Sequence, residues 1–121
     1  MSPEEYYPPG KTTIAPEVLT TIARLTTMSV PGVSQMAPVP GEVNRLFNRN
    51  ANDGVKITVE RDTVYADLYV ILCRDTNVRE IGRAIQSRVS RAISEMVGMD
   101  VGKVNVHVED IDYSVPEPRP L

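Results

Sequence analysis

The sequence predicts a two-layer α+β domain in which two helices pack on one face of a mixed β-sheet. Three observations predict this fold. Residues 64–73 alternate strictly between two sets of side chains, which is the period of a β-strand. Residues 16–28 and 77–97 repeat apolar side chains at helical spacing. No proline interrupts residues 41–115, and the expected order of elements is β-α-β-β-β-α-β.

The amino-terminal part of the body predicts a strand, a helix and a second strand. Residues 11–15 (KTTIA) form the first predicted strand. Pro16 suits the first position of a helix, because its missing N–H costs little there. Residues 32–37 form the second strand after a stop at Pro31-Gly32. The apolar positions that predict the helix over 16–28 are Val18, Leu19, Ile22, Ala23 and Leu25.

Residues 38–54 form the least regular connection of the body. One helical turn is indicated by the i, i+3, i+4 spacing of Val43, Leu46 and Phe47, and the turn signal at 52–54 closes the segment. Connections of this length inside a compact domain are commonly functional. We interpret the segment as a short lid over the edge of the core, with a binding loop as the alternative. The residues that would contact a partner here are Arg45, Phe47 and Arg49.

A hairpin and a central strand follow this connection. Residues 55–60 (VKITVE) alternate, and the turn at 61–63 joins them to the central strand in antiparallel orientation. One face of the central strand is wholly apolar, so we expect helices to cover it and the other face to stay more open. The covered face carries Val64, Ala66, Leu68, Val70 and Leu72, and the open face carries Tyr65, Asp67, Tyr69, Ile71 and Cys73.

The last part of the body predicts a long helix and a final strand. Asn77 and Glu80 stand three residues apart, as in a capping box, and Gly98 is a suitable stop. Residues 103–111 alternate, with valines expected inward and Asn105, His107 and Glu109 outward. The apolar stripe of the helix consists of Val78, Ile81, Ile85, Val89, Ala92, Ile93 and Met96.

Composition bounds the class of protein. A chain of 121 residues is one domain of ordinary size, and we place the body at 11–112 between a disordered tail at 1–10 and a proline-rich tail at 113–121. The net charge is −3, yet residues 11–108 hold 12 basic and 10 acidic side chains, a net charge of +2. A nearly neutral body gives little reason to expect strong nucleic-acid binding. A single cysteine, Cys73, excludes an internal disulfide.

No apolar run reaches membrane-spanning length, and no amino-terminal segment resembles a signal peptide. We therefore expect a cytoplasmic protein without direct membrane insertion. Contact with a membrane is expected only at its periphery, through a partner.

Several short motifs, in order along the chain, resemble the alkaline shock protein family of bacterial envelope-stress proteins. The amino-terminal half contributes residues 14–18 (IAPEV) and 30–33 (VPGV), followed by the hairpin. The carboxyl half contributes the helix stripe from Val78 to Gly98 and residues 104–108 (VNVHV). The resemblance spans roughly residues 10–112. Cys73-Arg74-Asp75 departs from the aromatic-glycine pair that is usual in the family.

The resemblance implies a small non-enzymatic scaffold or adaptor linked to envelope stress. It implies protein partners, among them a small membrane-anchored protein, and self-association. Neither a cofactor nor a metal is implied, and the residues agree, because His107 stands without a second histidine or a cysteine cluster. No nucleophile-elbow motif accompanies it, so we predict no enzyme.

The open face of the sheet supplies the best candidates for a contact surface: Tyr65, Asp67, Tyr69 and His107. Tyrosines are enriched at protein interfaces, and Asp67 is expected to make a cross-strand polar contact. The alternative is a single-stranded RNA module, because the two tyrosines lie about 13 Å apart along a strand and each could stack on a base.

A second candidate surface lies on the long helix. Arg79, Arg83, Arg88 and Arg91 stand off the apolar stripe and face only Glu80 and Glu95. Such a face could dock on an anionic lipid or an acidic partner. A plain solvated helix face is the competing interpretation.

Overall fold

The computed structural model describes residues 9–41 and 54–114, which form two helices and four strands. Both helices pack on one face of a single sheet. The sheet is mixed, because β1 and β2 run antiparallel to β3 whereas β4 runs parallel to it. The predicted two-layer α+β class is confirmed. The elements are α1 (Pro16–Met28), β1 (Val33–Met36), β2 (Val55–Glu60), β3 (Thr63–Cys73), α2 (Val78–Val97) and β4 (Asp100–Asp112).

β3 is the centre of the sheet and pairs along both of its edges. One edge pairs with β4 over the whole strand. The other edge is shared, because β2 pairs with residues 63–68 and β1 with residues 70–72. The change of partner falls at Tyr69, whose N–H donates to the carbonyl of Gly54 at 2.7 Å and whose carbonyl accepts from the N–H of Ala37 at 2.8 Å.

β4 reaches its full length through two bulges. Its register against β3 skips one residue at Gly102 and one at Glu109. A bulge inserts an unpaired residue and so resets the alternation of the two faces. The resets bring all the aliphatic residues of β4 opposite the buried side of β3: Val101, Val104, Val106, Val108 and Ile111.

The core lies between the inner face of the sheet and the two helices. The five inner residues of β3 are fully buried, as predicted. α1 contributes Leu19, Ile22 and Ala23 to this core. Each buried aliphatic side chain contributes about 1.5–3 kcal/mol, so the stripe of α2 holds that helix firmly. That stripe consists of Ile81, Ile85, Val89 and Ile93.

Local signals set the helix ends where they were predicted. α1 starts with Pro16 in its first turn. At the start of α2 the Asn77 side chain accepts a hydrogen bond from the N–H of Glu80 at 3.1 Å. Gly98 ends α2 in the left-handed conformation, with φ of 74°.

The predicted strand at 11–15 is wrong. Residues 11–15 pair with no strand and are exposed, so the order of elements begins with α1. Ala15 is extended only as the N-cap of α1. The segment offers no pair of alternating apolar side chains to the core, so pairing with the sheet would bury nothing.

Five predicted core positions are exposed instead. Val59 is exposed because the helices cover only the first half of β2, where Val55 is buried. The other four lie at the borders of the helix stripes, which are narrower than the spacing suggested: Val18, Leu25, Val78 and Met96. The helical turn predicted at 43–47 and most of both predicted tails lie outside the described residues.

Candidate functional site

The outer face of the sheet brings together side chains from its two longest strands. We call this surface the tyrosine face and define it by Tyr65, Asp67 and Tyr69 of β3 with Asn105 and His107 of β4. In residues 9–41 and 54–114 both helices pack on the opposite face, and the three β3 side chains are half-exposed. The parallel register places Asn105 beside Asp67 and His107 beside Tyr69.

Asp67 joins the polar groups of the tyrosine face. Its Oδ1 accepts a hydrogen bond from Nδ2 of Asn105 at 3.2 Å and lies 2.9 Å from Nε2 of His107. Lys56 pairs with Asp67 from β2 on the other side. The hydrogen bond with His107 is the largest cause that lowers the pKa of Asp67, and Asn105 and Lys56 act in the same direction against the effect of burial. The cross-strand polar contact predicted for Asp67 is confirmed.

Tyr69 and His107 form an aromatic pair on this face. Their ring centroids lie 4.6 Å apart and their planes meet at 16°. Burial raises the pKa of Tyr69, and the carboxylates of Asp67 and Glu109 raise it further. The phenol therefore keeps its proton at neutral pH and can donate a hydrogen bond to a bound molecule.

Tyr65 packs over a glycine of the neighbouring strand. A Cβ atom at Gly102 would lie 2.8 Å from Cζ of the Tyr65 ring. The bulge at Gly102 therefore gives the ring a place to lie against the backbone of β4. Tyr65 is thus positioned by packing, whereas Tyr69 is positioned by its ring partner.

The chemistry available on the tyrosine face is that of binding. An aspartate–histidine pair forms part of a catalytic triad, which needs a nucleophile at the other ring nitrogen. Within the described part of the chain, the hydrogen bond to Asp67 is the one that the His107 ring makes. No group of three histidine, cysteine, aspartate or glutamate side chains there could hold a metal ion. Hydrogen-bonding and aromatic groups that are open to solvent suit a partner surface.

The other predicted site residues lie elsewhere. Arg79 and Arg83 line a groove of about 280 Å³ between α2 and the edge of β4, on the helical side of the sheet. Arg91 pairs with Glu95 at 3.2 Å on the exposed face of α2. Arg45, Phe47 and Arg49 lie outside the described residues. The structure therefore divides the candidates that it describes between two surfaces.

Sequence reasoning missed Lys56 as a neighbour of Asp67. The signal was available, because a two-residue turn fixes the register of a hairpin and so sets Lys56 opposite Asp67. The groove beside β4 carried no comparable signal, since it depends on how α2 crosses the sheet.

The model of the alkaline shock protein family, described as having a cell envelope-related function, matches residues 5–113. This range includes every described residue of the sheet and of both helices.

Relatives from two bacteria cover most of the chain. The uncharacterized protein Spy1535 of Streptococcus pyogenes is 33% identical over 104 residues, which are 84% of this chain and 79% of the relative. The uncharacterized protein YqhY of Bacillus subtilis is 26% identical over 106 residues, which are 86% of this chain and 78% of the relative.

Solved structures share the fold at low identity. A zinc form of a MamM CTD variant has a TM-score of 0.55 at 13% identity and covers 87% of this chain and 96% of its own. A second MamM CTD variant has a TM-score of 0.51 at 13% identity and covers 81% and 100%. Likeness at this level supports the α+β arrangement alone.

Among the helices of residues 9–41 and 54–114, none is both long and apolar enough to cross a membrane.

Proposed function

Because this chain belongs to the alkaline shock protein family, whose function is related to the cell envelope, we propose that it is a non-enzymatic scaffold or adaptor of the envelope stress response. It acts through protein–protein contacts. The tyrosine face is its main contact surface.

The observation that carries this proposal is a sheet face on which no described helix packs. Half-exposed tyrosines are rigid, amphipathic groups that gain much contact area at a small entropic cost when a partner covers them. Asp67 and His107 add polar groups whose geometry is already fixed by their mutual hydrogen bond. A surface with these properties suits recognition of another protein chain.

We also propose a location and partners for the protein. It is cytoplasmic and reaches the membrane periphery through a small membrane-anchored protein. It also self-associates through the tyrosine face. The cell envelope-related function of the family supports the link to the envelope, and the exposure of the tyrosine face supports self-association.

Single-stranded RNA is the alternative occupant of the tyrosine face. Two features weigh against it: His107 already covers one side of the Tyr69 ring, and the carboxylate of Asp67 lies between the two tyrosines. A phosphate backbone that crosses this face would meet that negative charge.

A double charge substitution tests the proposal. We expect Tyr65→Glu with Tyr69→Glu to weaken self-association, measured by sedimentation, and partner capture by about tenfold, because buried aromatic residues dominate interface energies. The control is Tyr113→Glu, since Tyr113 is exposed just after β4 and lies outside the tyrosine face.

Unchanged sedimentation and capture in the double variant, with Tyr113→Glu also unchanged, would overturn the tyrosine face as the contact surface. Titration of a labelled oligonucleotide at two salt concentrations separates the alternative. Salt-sensitive binding that Tyr69→Ala weakens would favour RNA instead.

A further inference from the structure

The outer edge of β4 has backbone groups that pair with no strand. Among the described residues β4 pairs with β3 alone. Backbone N–H and C=O groups of successive strand residues point to opposite edges. The carbonyl of Val104 accepts a hydrogen bond from Nε2 of Gln86 at 3.1 Å, so Val104 points away from β3. By the same alternation Val106 and Val108 direct their N–H and C=O groups outward.

A groove runs beside these outward groups. Its volume is about 280 Å³, and the side chains of Val106 and Val108 form part of its wall. On the α2 side Gly82 leaves room, because a Cβ atom there would have no neighbour within 4 Å. The groove and the free edge are therefore adjacent, and a chain that pairs with β4 would place alternate side chains in the groove.

The charge of the groove is positive. Arg79 and Arg83 lie one helical turn apart on its wall, both exposed. Neither side chain makes a hydrogen bond or ion pair with another residue of the described ranges. The described residues that line the groove include no acidic side chain. Two neighbouring guanidinium groups that pair with no carboxylate of the described ranges favour a ligand with carboxylates.

The same charge disfavours a second copy of this chain at the edge. Pairing of two β4 edges would bring Arg79 and Arg83 of the second copy towards those of the first. Like charges across an interface cost several kcal/mol. A partner with an acidic segment avoids this repulsion.

We propose that the free edge of β4 and the adjoining groove bind an extended acidic segment of a partner protein, which adds to the sheet as a further strand. Backbone hydrogen bonds to Val106 and Val108 supply the affinity, and carboxylates at alternate positions meet Arg79 and Arg83. The inference rests on the proposed function only in that the partner is a protein. It uses a surface separate from the tyrosine face.

The probe is a short labelled peptide in which glutamate and valine alternate. We expect it to shift the amide resonances of Val106 and Val108 in the intact chain. Two matched peptides test the chemistry: one with lysine for glutamate, and one with methylated backbone nitrogens on the pairing edge. Both are expected to bind at least about tenfold more weakly.

Protein variants locate the binding. Arg79→Glu with Arg83→Glu is expected to lower the affinity for the acidic peptide about tenfold or more. Gly82→Leu is expected to block the groove. Arg88→Glu is the matched control, because Arg88 is exposed on the same helix but does not line the groove. It should bind the peptide almost as the parent does.

The outcomes separate this proposal from the tyrosine face. The variant Tyr65→Glu with Tyr69→Glu should keep peptide binding, so a result that refutes one surface does not refute the other. Equal binding of the lysine peptide, shifts confined to the tyrosine face, or no binding at millimolar peptide would overturn the edge site. Concentration-dependent shifts of Val106 and Val108 without peptide would also overturn it, in favour of a second copy.

Discussion

Asp67 is the side chain on which the polar contacts of the tyrosine face converge. Both neighbouring strands place polar side chains beside it. Lys56 of β2 is its partner in the strand register, and Asn105 and His107 of β4 form hydrogen bonds with it. A carboxylate that is hydrogen-bonded in this way holds its neighbours in fixed positions while it remains ionised. Its ionisation state therefore links pH to the geometry of the whole surface.

Replacement of the histidine tests this link. Because the hydrogen bond with His107 is the largest cause of the lowered pKa of Asp67, His107→Ala should raise that pKa. A carboxyl group with a lowered pKa stabilises the fold above its unfolded pKa and loses that contribution as the pH falls through the folded value. His107→Ala should therefore begin acid unfolding at a higher pH than the parent.

Carboxyl carbon shifts in an NMR titration measure the pKa, and circular dichroism follows acid unfolding. Arg88→Ala serves as the control, since Arg88 lies on α2 and is not among the groups that act on Asp67. An Asp67 that titrates alike in the parent and in His107→Ala would contradict the role given to this pair.

The neighbours of Asp67 differ in how far the sequence could predict them. The alternation of β3 predicts that Asp67 lies between two tyrosines on the open face, and a short hairpin turn would have added Lys56. For His107 the sequence could predict only the face of the sheet on which it lies. Its neighbours depend on the parallel register of β4, which is set by two bulges that leave no pattern in the sequence. The contact with Asp67 therefore required the structure.

At the scale of elements, the shared edge of β3 depends on a glycine. Gly54 lies directly before β2, at the point where β1 takes over the pairing, and has a φ of 69°. A Cβ atom there would lie 2.6 Å from the carbonyl oxygens of both Ala37 and Tyr69. Backbone atoms held in a sheet cannot move aside as a flexible side chain would, so the junction tolerates only glycine.

We expect Gly54→Ala to lower the free energy of unfolding by about 2–3 kcal/mol, through the strained φ and the two close carbonyls. Gly82→Ala is the matched control. It sits inside α2 with open space around its Cβ, so alanine should raise stability by about 1 kcal/mol. Chemical denaturation of both variants measures the difference. A Gly54→Ala variant as stable as the parent would show that the junction can rearrange.

The elements that were predicted well are those whose sequence patterns lie within their own residues. β3 alternates from Thr63 to Leu72, and α2 has a cap at each end in Asn77 and Gly98. The alternation ends at Cys73, which was expected on the open face but is buried. The strand predicted at residues 11–15 was wrong because strand formation depends on a neighbouring edge to pair with, and a local pattern contains no information about that edge. The sharing of one edge of β3 by β1 and β2 was also beyond local patterns, because residues 38–54 separate these two strands in the sequence.

At the scale of the whole molecule, one strand separates two surfaces of different chemistry. β4 contributes Asn105 and His107 to the tyrosine face, while Val106 and Val108 face the groove beside α2. A partner on either surface would contact the same strand. The two proposed sites are therefore close enough for one protein to reach both, or for two partners to influence each other through β4.

Hydrogen exchange along β4 tests this arrangement in the free protein. Asn105 and His107 direct their N–H groups to β3, so their amides should exchange slowly, near the rate of the fully paired strand β3. Val106 and Val108 direct theirs to the free edge, so their amides should exchange much faster, although all four residues lie in the stretch of β4 between its two bulges. NMR measures the exchange rate of each amide and so shows directly whether fast and slow rates alternate along β4. The amide of Leu68 in β3 supplies a protected reference. Slow exchange at Val106 and Val108 without a ligand would mean that the edge is already covered, and the edge would then not be free for an acidic partner.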